Sequence, residues 1–334
     1  MSTEISCDAD MPRCLNTPTK QAKKAKLLAE KFSGLSAKKS RRPDVQGFFS
    51  RTQIVTLQNG EDVVIQFRPD PLDLRAFTLA HDVLGPIVPK IELLPDDELQ
   101  ADGIWVYRMN CLPGKIWVHG MRGKGSQVIP TIARSLARIF SKGRIEDSSE
   151  DVIKKNLRPH MEMLLASSSE NISPFKDTIR DLLSKLDQLK KLPLFVSHFD
   201  LNEVNILIDE DCEVSGIVDW ELATPLPFGV GFGRIHTIAG EYSEGEFYMS
   251  GHFVEAEVGF WQELFDGVSA DTRKILDANL DIIQLAVLIG TVVGTFPIVD
   301  GKVGIVNPVG LKALPKHLSY RIPAIRGSDP PYRV

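Results

Sequence analysis

The chain has 334 residues, 43% hydrophobic and 25% charged, with a formal net charge of −5 and a pI near 5.9. That length suits two lobes rather than one minimal domain, and the acidic balance argues against a general nucleic-acid binder. Cys7, Cys14, Cys111 and Cys212 show neither close pairing nor metal-ligand spacing, which argues against a disulfide framework or zinc site and for a reducing, cytoplasmic setting.

Residues 1 to about 44 stand apart. They open on polar and acidic residues with no apolar core, unlike a secretory signal. Between Lys20 and Arg42 the only acid is Glu30. The stretch reads as a basic, solvated or disordered tail, with a targeting role or an acidic protein partner as the alternative. Within it, Gln21 to Phe32 could form a short helix carrying Ala22, Ala25, Leu28 and Phe32 near one face.

Residues 45–110 read as a small sheet lobe. Thr52 to Leu57 is half alternating, Asn59-Gly60 is a hairpin turn, and Asp62 to Phe67 is the return strand. Pro69 and Pro71 stop it, a helix follows from about Asp73 to Leu84, and Ile104 to Met109 is another strand. Residues 111–325 turn helical: Ile129 to Ser141, Val152 to Ala166, Pro174 to Lys190, Phe253 to Phe265, and Asp271 to Phe296. Short strands interrupt them at Leu194 to Val196, Ile206 to Ile208 and Val214 to Val218. The most apolar run, Ile282 to Val299, contains Gln284 and Pro297, and predicts a buried core helix rather than a membrane span. From Pro308 the repeated prolines predict loop or surface wrap, with 326–334 as a tail. Sheet first and helices afterwards predict a bilobal α+β fold.

One segment carries chemistry. Val196-Ser197-His198-Phe199-Asp200-Leu201-Asn202-Glu203-Val204-Asn205-Ile206-Leu207-Ile208 is followed by Gly216-Ile217-Val218-Asp219-Trp220-Glu221. Polar residues at strand ends face solvent or a cleft. Asn205 and Asp219 are separated by one hairpin's length, and an amide oxygen with a carboxylate suits magnesium, which keeps waters and phosphates as its other ligands. Asp200 would then sit where a hydroxyl could give up its proton.

H-x-D-x-x-x-x-N followed by D-W-E resembles the signature of aminoglycoside phosphotransferases and their relatives, including choline and methylthioribose kinases. H-F-D-L-N-E-V-N-I-L-I-D and G-I-V-D-W-E look like the fungal branch, as do Val64-Ile65-Gln66-Phe67-Arg68 and Pro227-Phe228-Gly229. The resemblance spans about residues 47 to 325 and implies a protein-kinase-like fold, a small antiparallel nucleotide lobe preceding a larger, mainly helical lobe for catalysis and acceptor. It implies ATP and Mg2+ as cofactors, Asp200 as catalytic aspartate, His198 as its buttress, and Asn205 and Asp219 as metal ligands. Protein kinases carry lysine two residues after that aspartate, where this chain has Asn202, and no A-P-E element follows Asp219. A small-molecule hydroxyl acceptor is therefore implied over a protein.

The nucleotide lobe departs from the pattern. Gln46 to Thr52 offers one glycine, Gly47, so Ser50 or nearby backbone N–H groups would meet the phosphates. Gln66 stands where lysine is expected, and Arg68, on the same face of its strand, is the charged alternative. Asp73 is the candidate acidic partner for Arg68, and Met109 opens the hinge that would receive adenine. Cys111, in that hinge, reads as a packing residue. An intact Asp200, Asn205 and Asp219 favour an enzyme; the uncharged Gln66 and single-glycine loop favour a non-catalytic, pseudokinase-like binding module. Glu255, Glu257 and Glu263 could line a site for a cationic acceptor, or form a solvated face.

Overall fold

Alternating apolar residues build the first sheet, and a helix shields one of its faces. The structure, a computed structural model, describes residues 3–299, 301–304 and 308–332. It divides into one unit of Met1–Pro113 with Gly216–Glu221 and a second of Gly114–Ser215 with Leu222–Val334.

In the first unit, helix α1 (Pro18–Ser33) precedes strands β1 (Ala37–Arg41), β2 (Arg51–Leu57) and β3 (Asp62–Arg68). Helix α2 (Leu74–Leu84) and strands β4 (Ile91–Leu94) and β5 (Trp105–Asn110) complete an antiparallel sheet of order β1-β2-β3-β5-β4. The two-residue period sends Val55, Leu57, Val63, Ile65 and Phe67 to one face, where Ala25, Leu28 and Ala29 of α1 join them in a common core. The other face, with Thr52, Val64 and Gln66, stays half-buried.

The expected basic tail is therefore corrected. The short helix suggested for Gln21 to Phe32 exists, longer than drawn, and it is docked rather than solvated. Thr17 caps it, Pro18 opens it, and Gly34 closes it at φ 71°. Lys24 pairs with Asp96 at 2.9 Å. Ala37–Arg41 forms an edge strand on β2, and its lysines are the charges that keep such an edge from recruiting another strand. Asp8 ties the remainder together: it accepts from Arg42 at 2.5 Å, Arg51 at 2.9 Å and Gln21 at 3.2 Å. Those bonds outweigh its burial and hold its carboxyl below the usual range.

The second unit is mainly helical, with two three-stranded sheets. One has the order Val214–Ile217, Ile206–Ile208, Lys115–Ile116, the first of these strands running on into the first unit's segment. The other has the order Thr224–Pro227, Leu194–Ser197, Arg144–Ile145. Helices Ile129–Phe140 and Phe253–Gly267 pack together, and Leu280–Thr295 is the apolar core helix. The single helix expected from Asp271 to Phe296 is two, Ala270–Asp277 and Leu280–Thr295, bent by 86°. Asn279 makes the break: its Nδ2 donates to Ile275 O at 2.7 Å, while its own carbonyl accepts from Ile282 and Ile283 to start the next helix. Among the described residues no single helix is long and apolar enough to cross a membrane.

The C-terminal reading is also corrected. Pro308–His317 and Pro323–Arg326 are helical, and Tyr320, Ile322, Arg326 and Tyr332 are buried. Residues 333 and 334 of the expected tail lie outside the described residues.

Candidate functional site

Strand Leu194–Ser197 is buried along its length, with Phe195 packed edge-on against Phe228 at 5.0 Å. It delivers a buried His198 and then a three-residue turn, closed by the Asp200 N–H donating to His198 O at 2.8 Å. Phe199 forms its apex at φ 62°, left-handed backbone that a bulky side chain adopts at a cost of about 1–3 kcal/mol. Two asparagines hold the far side. Asn202 Nδ2 donates to Asp200 O at 3.1 Å, and Asn205 Nδ2 donates to the same oxygen at 2.9 Å. That use of its nitrogen leaves the Asn205 amide oxygen as the atom available to a cation.

Arg234, which sequence reasoning missed, lies beside this turn, its Nη2 3.4 Å from Asp200 Oδ1. Its position is built by the loop after Pro227. Phe228 and Phe232 stack edge-on at 5.4 Å, and Phe232 meets Phe260 at 5.6 Å. A Cβ on Gly233 would come within 2.3 Å of the Gly290 backbone, so only glycine lets the loop lie against helix Leu280–Thr295. Pro227-Phe228-Gly229 was the visible part of this arrangement; nothing in the sequence tied the arginine five residues later to Asp200.

The candidate metal ligands fall in different units, Asn205 in the second and Asp219 in the first, and each has its own setting. Asp219 is also left-handed, at φ 66°. The fully buried Trp220 that follows donates its Nε1 to Ile217 O at 2.7 Å, fixing the turn. No group of three or more His, Cys, Asp or Glu able to hold a metal occurs among the described residues. A magnesium held by one amide, one carboxylate, phosphates and water requires no such group.

In the first unit the pairing of Arg68 differs from the expectation. Arg68 is 4% exposed and its Nη2 donates to Glu221 Oε2 at 2.6 Å. Asp73 caps α2 instead and grips Arg75, at 2.9 Å to Nε and 2.5 Å to Nη2. Those bonds pull the Asp73 carboxyl down to about 2. A two-residue spacing at a helix start suits that clasp better than a reach back to the strand. Arg68 Nε is buried without a hydrogen-bond partner.

The one-glycine loop is the connection between β1 and β2, and side chains shape it. Gln46 donates to Thr52 O at 3.0 Å and accepts from Thr52 N–H at 2.9 Å, copying a strand pair. Gln66 Nε2 donates to Ser50 Oγ at 3.1 Å, so those two candidates do meet. Met109 lies on β5 opposite Val64 and Ile91. Burial pushes the Cys111 thiol upward, in keeping with a packing residue.

The profile of the phosphotransferase enzyme family matches residues 46–248, more than half of the chain. The chain belongs to that family. Its fold is similar to that of an ethanolamine kinase of Plasmodium vivax, at 13% identity and TM-score 0.51, over 85% of this chain and 82% of that one. An aminoglycoside phosphotransferase crystallised with AMP-PNP and hygromycin B aligns at 12% identity and TM-score 0.49, over 80% of this chain and 97% of that one. No curated protein matches the sequence. Family membership makes the chain a phosphotransferase, and its α+β architecture is kinase-like; the fungal branch is a likeness of motifs only.

Proposed function

We propose that this phosphotransferase moves the γ-phosphoryl group of ATP to a hydroxyl of a small molecule. The acceptor oxygen forms the new bond to phosphorus, the bond from that phosphorus to the bridging oxygen of ADP breaks, and the hydroxyl proton passes to Asp200. The observation that carries this reading is the strained turn at Phe199, held from one side by His198 O and from the other by Asn202 and Asn205. Strain persists where surrounding structure enforces it, and here it fixes one carboxylate. Another left-handed residue falls on Asp219, the other acid the chemistry asks for.

Asn205 and Asp219 are the proposed magnesium ligands, and the metal would supply charge neutralisation at the phosphates. Arg68, with a buried unpartnered Nε beside its bond to Glu221, is the proposed phosphate contact. It takes the part that the uncharged Gln66 lacks. Gln66 and Ser50 shape the loop near it, and Met109 is proposed to lie by the adenine. His198 supports the turn rather than the chemistry.

Two measurements test the proposal. Magnesium-ATP should raise the melting temperature of the purified chain, and a panel of hydroxylated metabolites should contain one that makes it consume ATP. A chain indifferent to magnesium-ATP would overturn the reading.

A further inference from the structure

The three acids that would suit a cationic acceptor are engaged elsewhere. Glu257 is fully buried, accepting from Arg326 Nη2 and from Tyr320 Oη, each at 2.6 Å. Glu263 meets Arg138 at 3.3 Å, and Glu255 lies 3.8 Å from Arg134 and 3.7 Å from His252. None of them borders the cleft that adjoins Arg234.

That cleft lies within the second unit. Arg234, Thr237, Tyr242, Thr291 and the two stacked imidazoles of His236 and His317 form much of its wall. The described residues lining it include no carboxylate. His236 and His317 stack 4.1 Å apart at an interplanar angle of 2°. His236 is satisfied, its Nδ1 sharing a hydrogen bond with Tyr332 Oη at 2.7 Å. His317 is 4% exposed, yet its Nε2 has no hydrogen-bond partner. A buried imidazole nitrogen without a protein partner calls for a water or a ligand atom to satisfy it. Burial holds both rings neutral, so they offer hydrogen bonds and no charge.

Among the described residues lining this wall Arg234 carries the only full charge, and it is positive; the Glu203 carboxylate is felt at Tyr242 but does not line the cleft. A guanidinium carries five N–H donors, and one is used on Asp200. The remainder suit carboxylate, phosphate or hydroxyl oxygens, and repel an ammonium group brought to the same place.

We propose that this cleft holds the acceptor, and that the acceptor is an oxygen-rich hydroxyl compound, uncharged or anionic, with ammonium-bearing hydroxyl compounds excluded. The word acceptor rests on the phosphotransferase reading; the ligand chemistry rests on the cleft alone. Arg234 and His317 are then residues that determine specificity.

The test measures binding directly, by calorimetry or saturation-transfer NMR on the full chain. Its probes are matched hydroxyl compounds: glycerate and other hydroxy acids, inositol and other polyols, choline, ethanolamine and kanamycin. A hydroxy acid or polyol should bind, and the ammonium compounds should bind at least about tenfold more weakly, roughly the worth of one charge-assisted hydrogen bond. Arg234→Gln should weaken the best ligand by about tenfold or more without changing magnesium-ATP affinity. His317→Phe is the second variant, with its melting curve as the folding control. The proposal is overturned if an ammonium compound binds as well as the best oxygen ligand, if Arg234→Gln leaves that ligand unaffected, or if no probe binds. Failure of phosphoryl transfer is read separately. A chain that binds a polyol through Arg234 but never consumes ATP keeps the ligand class and loses the kinase reading.

Discussion

Residues 198–221 and the two ends of the chain are held by different means. In the segment 198–221, polar groups fix backbone: Asn202 and Asn205 clamp Asp200, Trp220 closes on Ile217, and three residues with side chains, Phe199, Cys212 and Asp219, sit at positive φ. At the ends, a few apolar or aromatic residues dock segments whose composition is otherwise charged or proline-rich. Ala25, Leu28 and Ala29 do this for α1, and Tyr320, Ile322 and Tyr332 for the C-terminus. Chemistry demands particular residue types at particular spacings, so it shows in a motif. Docking asks only for a narrow apolar stripe, which a run of lysines conceals.

The sharpest way to break the comparison is at Asp200. If the segment is shaped for chemistry, Asp200→Asn should lower kcat by about 10²–10⁴-fold while leaving KM for ATP and the melting temperature near wild type. The measurement requires an acceptor found with wild type. Equal turnover by the two proteins would move the catalytic assignment elsewhere, and a collapse in stability would make the turn structural.

The ends should answer to packing instead. Leu28 is 2% exposed and shares the core under the first sheet with Val55, Leu57 and Ile65. Leu28→Ala should cost about 2–5 kcal/mol in chemical denaturation, a core-sized loss from a segment that reads as tail. A loss under about 0.5 kcal/mol, the range of surface substitutions, would return α1 to the surface.

How much of this was readable follows the same division. Asp200, Asn205 and Asp219, the proposed catalytic and metal-binding residues, stood out because few residue types suit magnesium or a proton, and the strands around them alternate clearly. Strands Asp62–Arg68 and Ile206–Ile208 were placed closely for the same reason. Ala37–Arg41 was missed as a strand because an edge strand with no buried position shows no alternation. Arg234 and the Arg68–Glu221 pair, 153 residues apart, depend on tertiary placement that no local pattern encodes. The helix α1 did carry its punctuation, Thr17-Pro18 before and Gly34 after. The weight of lysines between them made composition the louder signal.

The C-terminal end can be tested through pH. Burial pushes His317 down to about 3, and His236 well below its ordinary value. The unfolded chain takes up protons near 6.5, whereas the folded rings stay neutral to much lower pH. Stability is therefore complete above about pH 6.5 and is lost as pH falls towards 3, by about 2 kcal/mol for His317 at pH 5. Carboxylates add their own slope, so the comparison is between wild type and His317→Gln from pH 6.5 to 5. The variant should show the shallower loss; parallel curves would mean that His317 is protonated in the fold and that the C-terminal end packs less closely.

The smallest effect concerns how α1 begins. Thr17 has extended backbone at φ −144°, and its Oγ1 accepts from the Lys20 N–H at 3.3 Å. That satisfies one of the amide groups that every helix start leaves without a partner. The bond is long, so Thr17→Ala should cost about 0.5–1 kcal/mol, the lower half of the range for such caps. Thr17→Ser keeps the hydroxyl and should restore most of it. The measurement is the urea midpoint, with an unchanged slope showing that the unfolded state is not the cause. If Thr17→Ala is silent, α1 is held by its apolar stripe alone and its capping sequence is incidental. If alanine costs as much as Leu28→Ala, the end of the chain resembles the segment 198–221 more than its core packing suggests, with a polar contact fixing where the backbone turns.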